Sequence, residues 1–195
     1  MRRVALTLFC VLLAGFFAAA AAAQDSATPA SGPRAEALRL IDDAADKCVR
    51  LAERIPADKY TWRPMEGVRS IAEVYLHLAA GNFSIPRRLG ANPPEGLDTR
   101  NLERSTTDKA QIVKILKDSF DHVRKAVASL ADADLEKTTQ WLGGRQATYR
   151  EIIFFLATHE HEHLGQSIAY ARMNNVVPPW TEERQQQQQQ PAKRP

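Results

Sequence analysis

The fold is decided by the stretch Thr158-His159-Glu160-His161-Glu162-His163-Leu164-Gly165-Gln166, which lies inside the most strongly patterned helical segment of the chain. A capping box precedes it at Thr148-Tyr149-Arg150-Glu151 and predicts a helix that begins near Tyr149. Six side chains then recur at spacings of three or four residues, which places them on one helix face. These six are Ile152, Leu156, His159, His163, Gln166 and Tyr170.

Two histidines share that face. His159 and His163 are four residues apart, so their rings point the same way about one turn apart. A buried ring nitrogen without a partner costs about 1–3 kcal/mol, and one metal ion would remove that cost for both rings. The pair therefore provides half of a metal site, with two core histidines as the alternative. His161 points to the other side of the helix and is expected to be solvated.

The first 23 residues have the pattern of a signal peptide. Arg2 and Arg3 form a positive start, residues 4–20 are uninterrupted apolar sequence, and Ala21-Ala22-Ala23 fits a cleavage site. The apolar run is nearly long enough to span a membrane, so an uncleaved anchor is the alternative. The alanine-rich end and the polar residues after it favour cleavage. We therefore predict a periplasmic or secreted protein with no stable membrane anchor after cleavage.

The composition of the mature chain limits its class. Cleavage leaves enough residues for one domain with a sizeable core. The net charge falls from +3 to +1 because Arg2 and Arg3 leave with the signal. The sequence pI near 9.0 therefore does not indicate binding to nucleic acid. Cys48 is the one cysteine that remains, which excludes an intramolecular disulfide and suits a small core side chain.

Four amphipathic segments are predicted to be helices. They span residues 34–55, 70–86, 108–130 and 149–174, and Ser70-Ile71-Ala72-Glu73 is a second capping box. Four such helices can bury their apolar faces only against one another, which predicts an all-α four-helix bundle over residues 34–180. His77 is the only histidine of the second helix and by itself is expected to be a surface or core residue.

The remaining segments are connections and ends. Residues 86–107 contain Gly90, Pro93 and Pro94 and form a connection long enough to carry the chain along the bundle. Two short arms about Gly143-Gly144 indicate a small hairpin. Residues 24–33 are expected to be a flexible leader, and the glutamine-rich residues 181–195 a disordered tail.

An ordered series of short motifs resembles the DinB-like family of metal-dependent proteins across residues 34–180. The motifs are Trp62-Arg63-Pro64, Ser70 to Leu78, His159-x-x-x-His163-Leu164-Gly165-Gln166, Tyr170-Ala171-Arg172-Met173 and Pro178-Pro179-Trp180. The resemblance implies a bundle with a long crossover between helices 2 and 3. It also implies a divalent metal bound by one histidine of helix 2 and two of helix 4, which match His77, His159 and His163. Three imidazoles suit zinc or nickel and do not choose between them.

Three protein ligands leave at least one coordination position open for water or a substrate group, which is typical of catalytic sites. The resemblance accordingly implies a metal-dependent hydrolase or a thiol-type transferase acting on a small molecule. Export fits poorly with a cytosolic thiol cofactor, which favours hydrolysis or plain metal binding. Glu160 is the nearest candidate for a general base, although a solvated position on the helix flank is the interpretation we favour. Relatives also suggest a homodimer.

Two other classes of protein use the same residues. His159-Glu160-His161-Glu162-His163 satisfies the H-E-x-x-H signature of zinc metallopeptidases, in which the glutamate is the base. That class needs a third metal ligand downstream of His163. No histidine follows His163, and the only glutamates that follow it are Glu182 and Glu183. His77 distinguishes the two hypotheses because a metallopeptidase would not need it. A non-catalytic metal-binding or interaction module is the third class.

Overall fold

Four long helices lie side by side in the computed structural model, which describes residues 31–189. They are α1 (Pro33–Arg54), α2 (Ile71–Ser84), α3 (Lys109–Ala128) and α4 (Tyr149–Met173). The prediction of an all-α four-helix bundle is confirmed, and the helix limits agree closely with those expected from the periodicity. The signal peptide over 1–23 and most of the leader over 24–33 lie outside the described residues.

Side chains predicted to cap the helices do so. The Ser70 hydroxyl accepts a hydrogen bond from the Glu73 amide at 3.2 Å, and the Glu73 carboxylate accepts one from the Ser70 amide at 2.7 Å. The Thr148 hydroxyl accepts from the Glu151 amide at 3.1 Å and starts α4, but this is half of the predicted capping box, because the Glu151 carboxylate pairs with Arg145. These bonds satisfy amides that have no partner within a helix, so they fix where α2 and α4 begin.

The apolar faces of the four helices form the core. Helix α1 packs against α3 and α4, and α2 also packs against α3 and α4, so α1 and α2 lie at opposite corners of the bundle. Cys48 lies on the inner face of α1 and is fully buried, as predicted, and this burial raises the pKa of its thiol. The largest side chains with almost no exposure include Tyr60, Tyr75 and Phe120.

The crossover and the hairpin are the two longer connections between the helices. Between α2 and α3 the chain makes two short 3₁₀ turns, Ile85–Leu89 and Leu102–Arg104, and Leu102 is buried against the core. The hairpin consists of β1 (Thr138–Gln140) and β2 (Gln146–Thr148), which pair antiparallel. Both features agree with the sequence-based expectation.

The prediction of a disordered tail over 181–195 is wrong for the part that the structure describes. Pro179–Gln189 form helix α5, which carries Glu182 and Glu183. The Arg54 guanidinium bonds Glu182 at 2.7 Å, and Arg50 pairs with Glu183, so α5 is tied to α1. Low-complexity composition predicts disorder for this glutamine-rich segment. Glutamine is nevertheless a good helix former, and the ion pairs with α1 hold the segment in place as a helix. Within residues 31–189 no helix has the length and apolar character needed to cross a membrane.

Candidate metal centre

Three histidines from two helices converge at one point of the bundle. One ring nitrogen each from His77 of α2 and from His159 and His163 of α4 lies within 4.8 Å of the others. The Nε2 atoms of His159 and His163 are 3.2 Å apart. The ring centroid of His77 lies 4.9 Å from that of His163 and 5.7 Å from that of His159. The structure thus brings together the three residues that the family resemblance named.

Gly81 allows α2 and α4 to approach closely enough for this cluster. It follows His77 by one helical turn, on the same face of α2. A Cβ atom at Gly81 would lie only 2.7 Å from Cε1 of His159. Phe155 stacks on the His159 ring, with a centroid distance of 5.9 Å and an interplanar angle of 14°. The His159 ring is therefore confined between the α2 backbone and an aromatic ring.

A carboxylate from the crossover orients His77. The Nδ1 atom of His77 lies 3.0 Å from Oε2 of Glu103, and Arg69 donates two hydrogen bonds to the same carboxylate at 2.8 and 3.2 Å. Partial burial by itself would raise the pKa of Glu103, but the hydrogen bonds from Arg69 and His77 outweigh it and lower that pKa. An ionised carboxylate that accepts the Nδ1 proton leaves Nε2 of His77 free to bind a metal.

An amide and a phenol orient His163 in the same way. Gln166 donates from Nε2 to the hydroxyl of Tyr170 at 3.2 Å, so its Oε1 faces Nδ1 of His163, 3.0 Å away. Oε1 therefore accepts the Nδ1 proton and leaves Nε2 of His163 with its lone pair. Tyr170 in turn packs edge-on against Trp62. Gln166 and Tyr170, which the spacing places on the same face of α4 as His163, do not line the cavity and instead support the His163 ring.

The donor set fits a transition-metal ion. Burial lowers the pKa of His159 to about 4, with smaller contributions from His163 and His77, and burial also lowers the pKa of His163. Both rings are therefore neutral at pH 7, which is the form that binds metals. The Nδ1 atom of His159 is buried and has no hydrogen-bond partner among the described residues. The Nε2 atoms of His159 and His163, which face each other, would both be paired by an ion bound between them, and this is what supports a metal centre.

A cavity of about 790 Å³ opens beside the cluster. His77, His159 and Glu103 lie on its wall, so a bound molecule would have direct access to two of the three rings. His163 is 6 % exposed and lies behind them. This volume is within the range of pockets that bind small molecules.

Glu160 is not the solvated flank residue that we favoured from the sequence. Its side chain is fully buried, and neither carboxylate oxygen has a hydrogen-bond partner among residues 31–189. Burial raises its pKa well above the ordinary value, and the charges that act on it are Arg124 of α3 and Asp42 of α1. One residue along a helix is a rotation of about 100°, which turns Glu160 from the cavity toward α1 and α3. Its role as a general base stays a prediction, and it is not part of the cavity wall.

We expect Glu160→Met to stabilise the fold. A buried carboxyl without hydrogen bonds costs about 1–3 kcal/mol, and methionine fills a similar volume without that cost. Chemical denaturation should show a free energy of unfolding that is higher by about this amount, with unchanged metal content. The control is Glu162→Met at an exposed position of the same helix, where the change should stay within about 0.5 kcal/mol. Loss of stability or of metal in Glu160→Met would contradict this assignment.

Glu103→Ala should weaken metal binding without removing any predicted ligand. Loss of an outer hydrogen-bond partner of a metal-bound histidine typically costs about 10–100-fold in affinity. Titration calorimetry would measure the affinity of each variant for zinc. Glu103→Gln should lose less, because the amide oxygen can still accept the Nδ1 proton of His77. Equal affinities for wild type and Glu103→Ala would show that Glu103 does not act through His77.

Comparisons with known proteins agree with this architecture. The DinB superfamily model matches residues 40–167. A DinB-like protein from Bacillus cereus is similar in structure, with a TM-score of 0.64, 14 % identity, and coverage of 73 % of this chain and 93 % of that one. YfiT from Bacillus subtilis, described as a probable metal-dependent hydrolase with an unusual four-helix bundle topology, has a TM-score of 0.61, 13 % identity, and coverage of 74 % and 89 %.

A second Bacillus subtilis protein, the DinB-like YjoA, is also similar. Its TM-score is 0.59, its identity 19 %, and the alignment covers 73 % of this chain and 93 % of that one. At these identities the structural similarities establish the fold alone. No curated protein matches the sequence.

Proposed function

The chain belongs to the DinB superfamily, and we propose that it is an exported metal-dependent hydrolase. The observation that carries the proposal is the convergence of His77, His159 and His163, the first two of which line a cavity that can hold a small molecule. YfiT, which has the same fold, is described as a probable metal-dependent hydrolase, and this supports the same reaction class here.

In this proposal His77, His159 and His163 hold a zinc or nickel ion. The bound ion supplies a Lewis acid at the cavity wall. Glu103 and Gln166 hold the Nδ1 protons of His77 and His163, so that each ring presents Nε2 to the ion. Gly81 and Phe155 fix the His159 ring between them. These neighbours set the geometry in advance, which an efficient site requires.

Export is proposed from the sequence. The positive start at Arg2 and Arg3, the apolar run over 4–20 and the small residues at 21–23 support it. An exported protein works outside the pool of cytosolic thiols, which favours hydrolysis over thiol transfer.

The metallopeptidase alternative loses support from the geometry. The third histidine of the cluster comes from α2, upstream of the H-E-x-x-H stretch. Glu160, the base in that signature, is buried away from the cavity wall.

The proposal can be tested with the purified protein loaded with zinc or nickel. We would assay a panel of nitrophenyl carboxylate and phosphate esters, with a separate thiol-conjugation assay. Hydrolysis should disappear with a chelator, return with the metal, and be absent in His159→Ala but present in His161→Ala. Conjugation without hydrolysis would assign the protein to the transferases, and metal binding without either activity would make it a binding module.

A further inference from the structure

The cavity wall is strongly basic away from the histidines. Arg87 and Arg88 lie in the 3₁₀ turn after α2, and Arg100 comes from the second half of the crossover. All three line the same cavity and are exposed. None of the three forms an ion pair with a carboxylate in the described part of the chain, although many other arginines, including Arg124, do so.

Carboxylates near this wall are already engaged. Among residues 31–189, Glu103 is the only acidic residue that lines the cavity, and it pairs with Arg69 and His77. Asp98 lies close enough to Arg100 to interact with it electrostatically, but its oxygens accept hydrogen bonds from the Asn101 side chain and from two backbone amides. The three guanidinium groups therefore leave the cavity with an excess of positive charge.

Another part of the cavity lining is apolar. Trp141 packs edge-on against Phe155 with a centroid distance of 5.0 Å and an interplanar angle of 78°, and both side chains line the cavity. Leu142, at the hairpin turn, also lines it and is 64 % exposed. An exposed leucine and two aromatic rings beside a concave opening offer a surface for an apolar group.

Exposed arginines on a protein surface usually serve only solubility. Here three of them line one cavity together with an apolar surface and with His77 and His159 of the histidine cluster. Guanidinium groups match the oxygens of carboxylates and phosphates, and pairs formed in a partly enclosed cavity are less screened than pairs on an open surface.

We propose that the substrate is an organic anion, a carboxylate or a phosphate ester that carries an apolar or aromatic group. Arg87, Arg88 and Arg100 bind the anionic group, and Trp141, Leu142 and Phe155 contact the apolar group. Because it names the substrate class of the proposed hydrolase, this inference rests on the proposed function. The three histidines form no hydrogen bond with these arginines in the described part of the chain, so the two groups can be tested separately.

The test measures binding of three probes to the purified protein by titration calorimetry, with metal content recorded for each sample. The probes are phenylphosphonate, 3-phenylpropionate and the uncharged 3-phenylpropanol. Wild type should bind at least one anion about tenfold or more tightly than the alcohol, and Arg87→Gln/Arg88→Gln should lose about tenfold or more of that affinity, as expected for lost charge-assisted hydrogen bonds. Which anion binds more tightly assigns the substrate as phosphate or carboxylate.

The control is Arg39→Gln/Arg172→Gln, which removes the same charge from exposed positions outside the cavity wall. It should change anion affinity by less than about twofold, because distant surface charges are screened. The inference is overturned if the anions bind no better than the alcohol. It is also overturned if the control variant weakens anion binding as much as Arg87→Gln/Arg88→Gln does. A further contrary result is anion binding that persists in Arg87→Gln/Arg88→Gln but is lost when a chelator removes the metal. A protein that binds the anions through the arginines yet takes up no metal would keep the inference and refute the proposed metal centre.

Discussion

His77→Ala is expected to strip the protein of most of its metal. The variant removes one of three proposed ligands and leaves only the i, i+4 pair His159 and His163, which is half of a site. The loss of affinity should exceed the roughly 10–100-fold that follows when only an outer partner such as Glu103 is removed. Elemental mass spectrometry after dialysis would measure it, as metal ions per chain.

His161→Ala is the matched control for this experiment. His161 lies on α4 between the two proposed ligands, but its Nδ1 atom faces the Ala157 carbonyl at 2.8 Å and its Nε2 atom lies 3.6 Å from Asp43. Its removal should leave the metal content unchanged. If His77→Ala keeps its metal, α2 provides no ligand and the metallopeptidase hypothesis has to be reconsidered.

Gly81→Ala should weaken metal binding, although alanine is a better helix former than glycine. Alanine in place of glycine normally stabilises a helix by about 0.8–1 kcal/mol. Here the added Cβ would lie 2.7 Å from Cε1 of His159, and Phe155 on the other face limits how far the ring can move. We expect a ring displaced from the cluster and an affinity for zinc that falls about 10–100-fold, as when the orientation of a ligand is disturbed.

Gly165→Ala provides the comparison, because a Cβ at Gly165 of α4 would meet nothing within 4 Å. This variant should show the ordinary gain in helix stability, measured by thermal unfolding, and unchanged zinc affinity by calorimetry. Equal zinc affinities for the two glycine variants would mean that the approach of α2 to His159 does not control the site.

Much of this architecture could be predicted from local sequence. Capping residues such as Ser70 and Thr148 mark where helices begin because they satisfy specific backbone amides, and those signals need no tertiary information. The apolar periodicity then fixes the buried face of each helix. The spacing of His159 and His163 places both rings on the same face as the core of α4, and the structure confirms that placement.

Other features depend on tertiary contacts that periodicity does not encode. Glu103 lies in an irregular connection, and nothing local shows that its carboxylate reaches His77. Gly81 gives a usable signal in hindsight, since a glycine one turn after a candidate ligand indicates close approach of another element. The sequence predicts a solvated Glu160 because glutamate is rarely buried, whereas α4 packs against both α1 and α2 and the side chain at that position is fully buried.

The most direct test of the account is the metal content of the wild-type protein. Protein purified without added metal would be exposed to zinc or nickel, dialysed and measured by elemental mass spectrometry, and X-ray absorption would identify the ligands. The account predicts about one ion per chain, with three imidazole ligands and at least one further position. A protein that takes up neither metal, or that binds one without imidazole ligands, would contradict it and leave His77, His159 and His163 as core histidines.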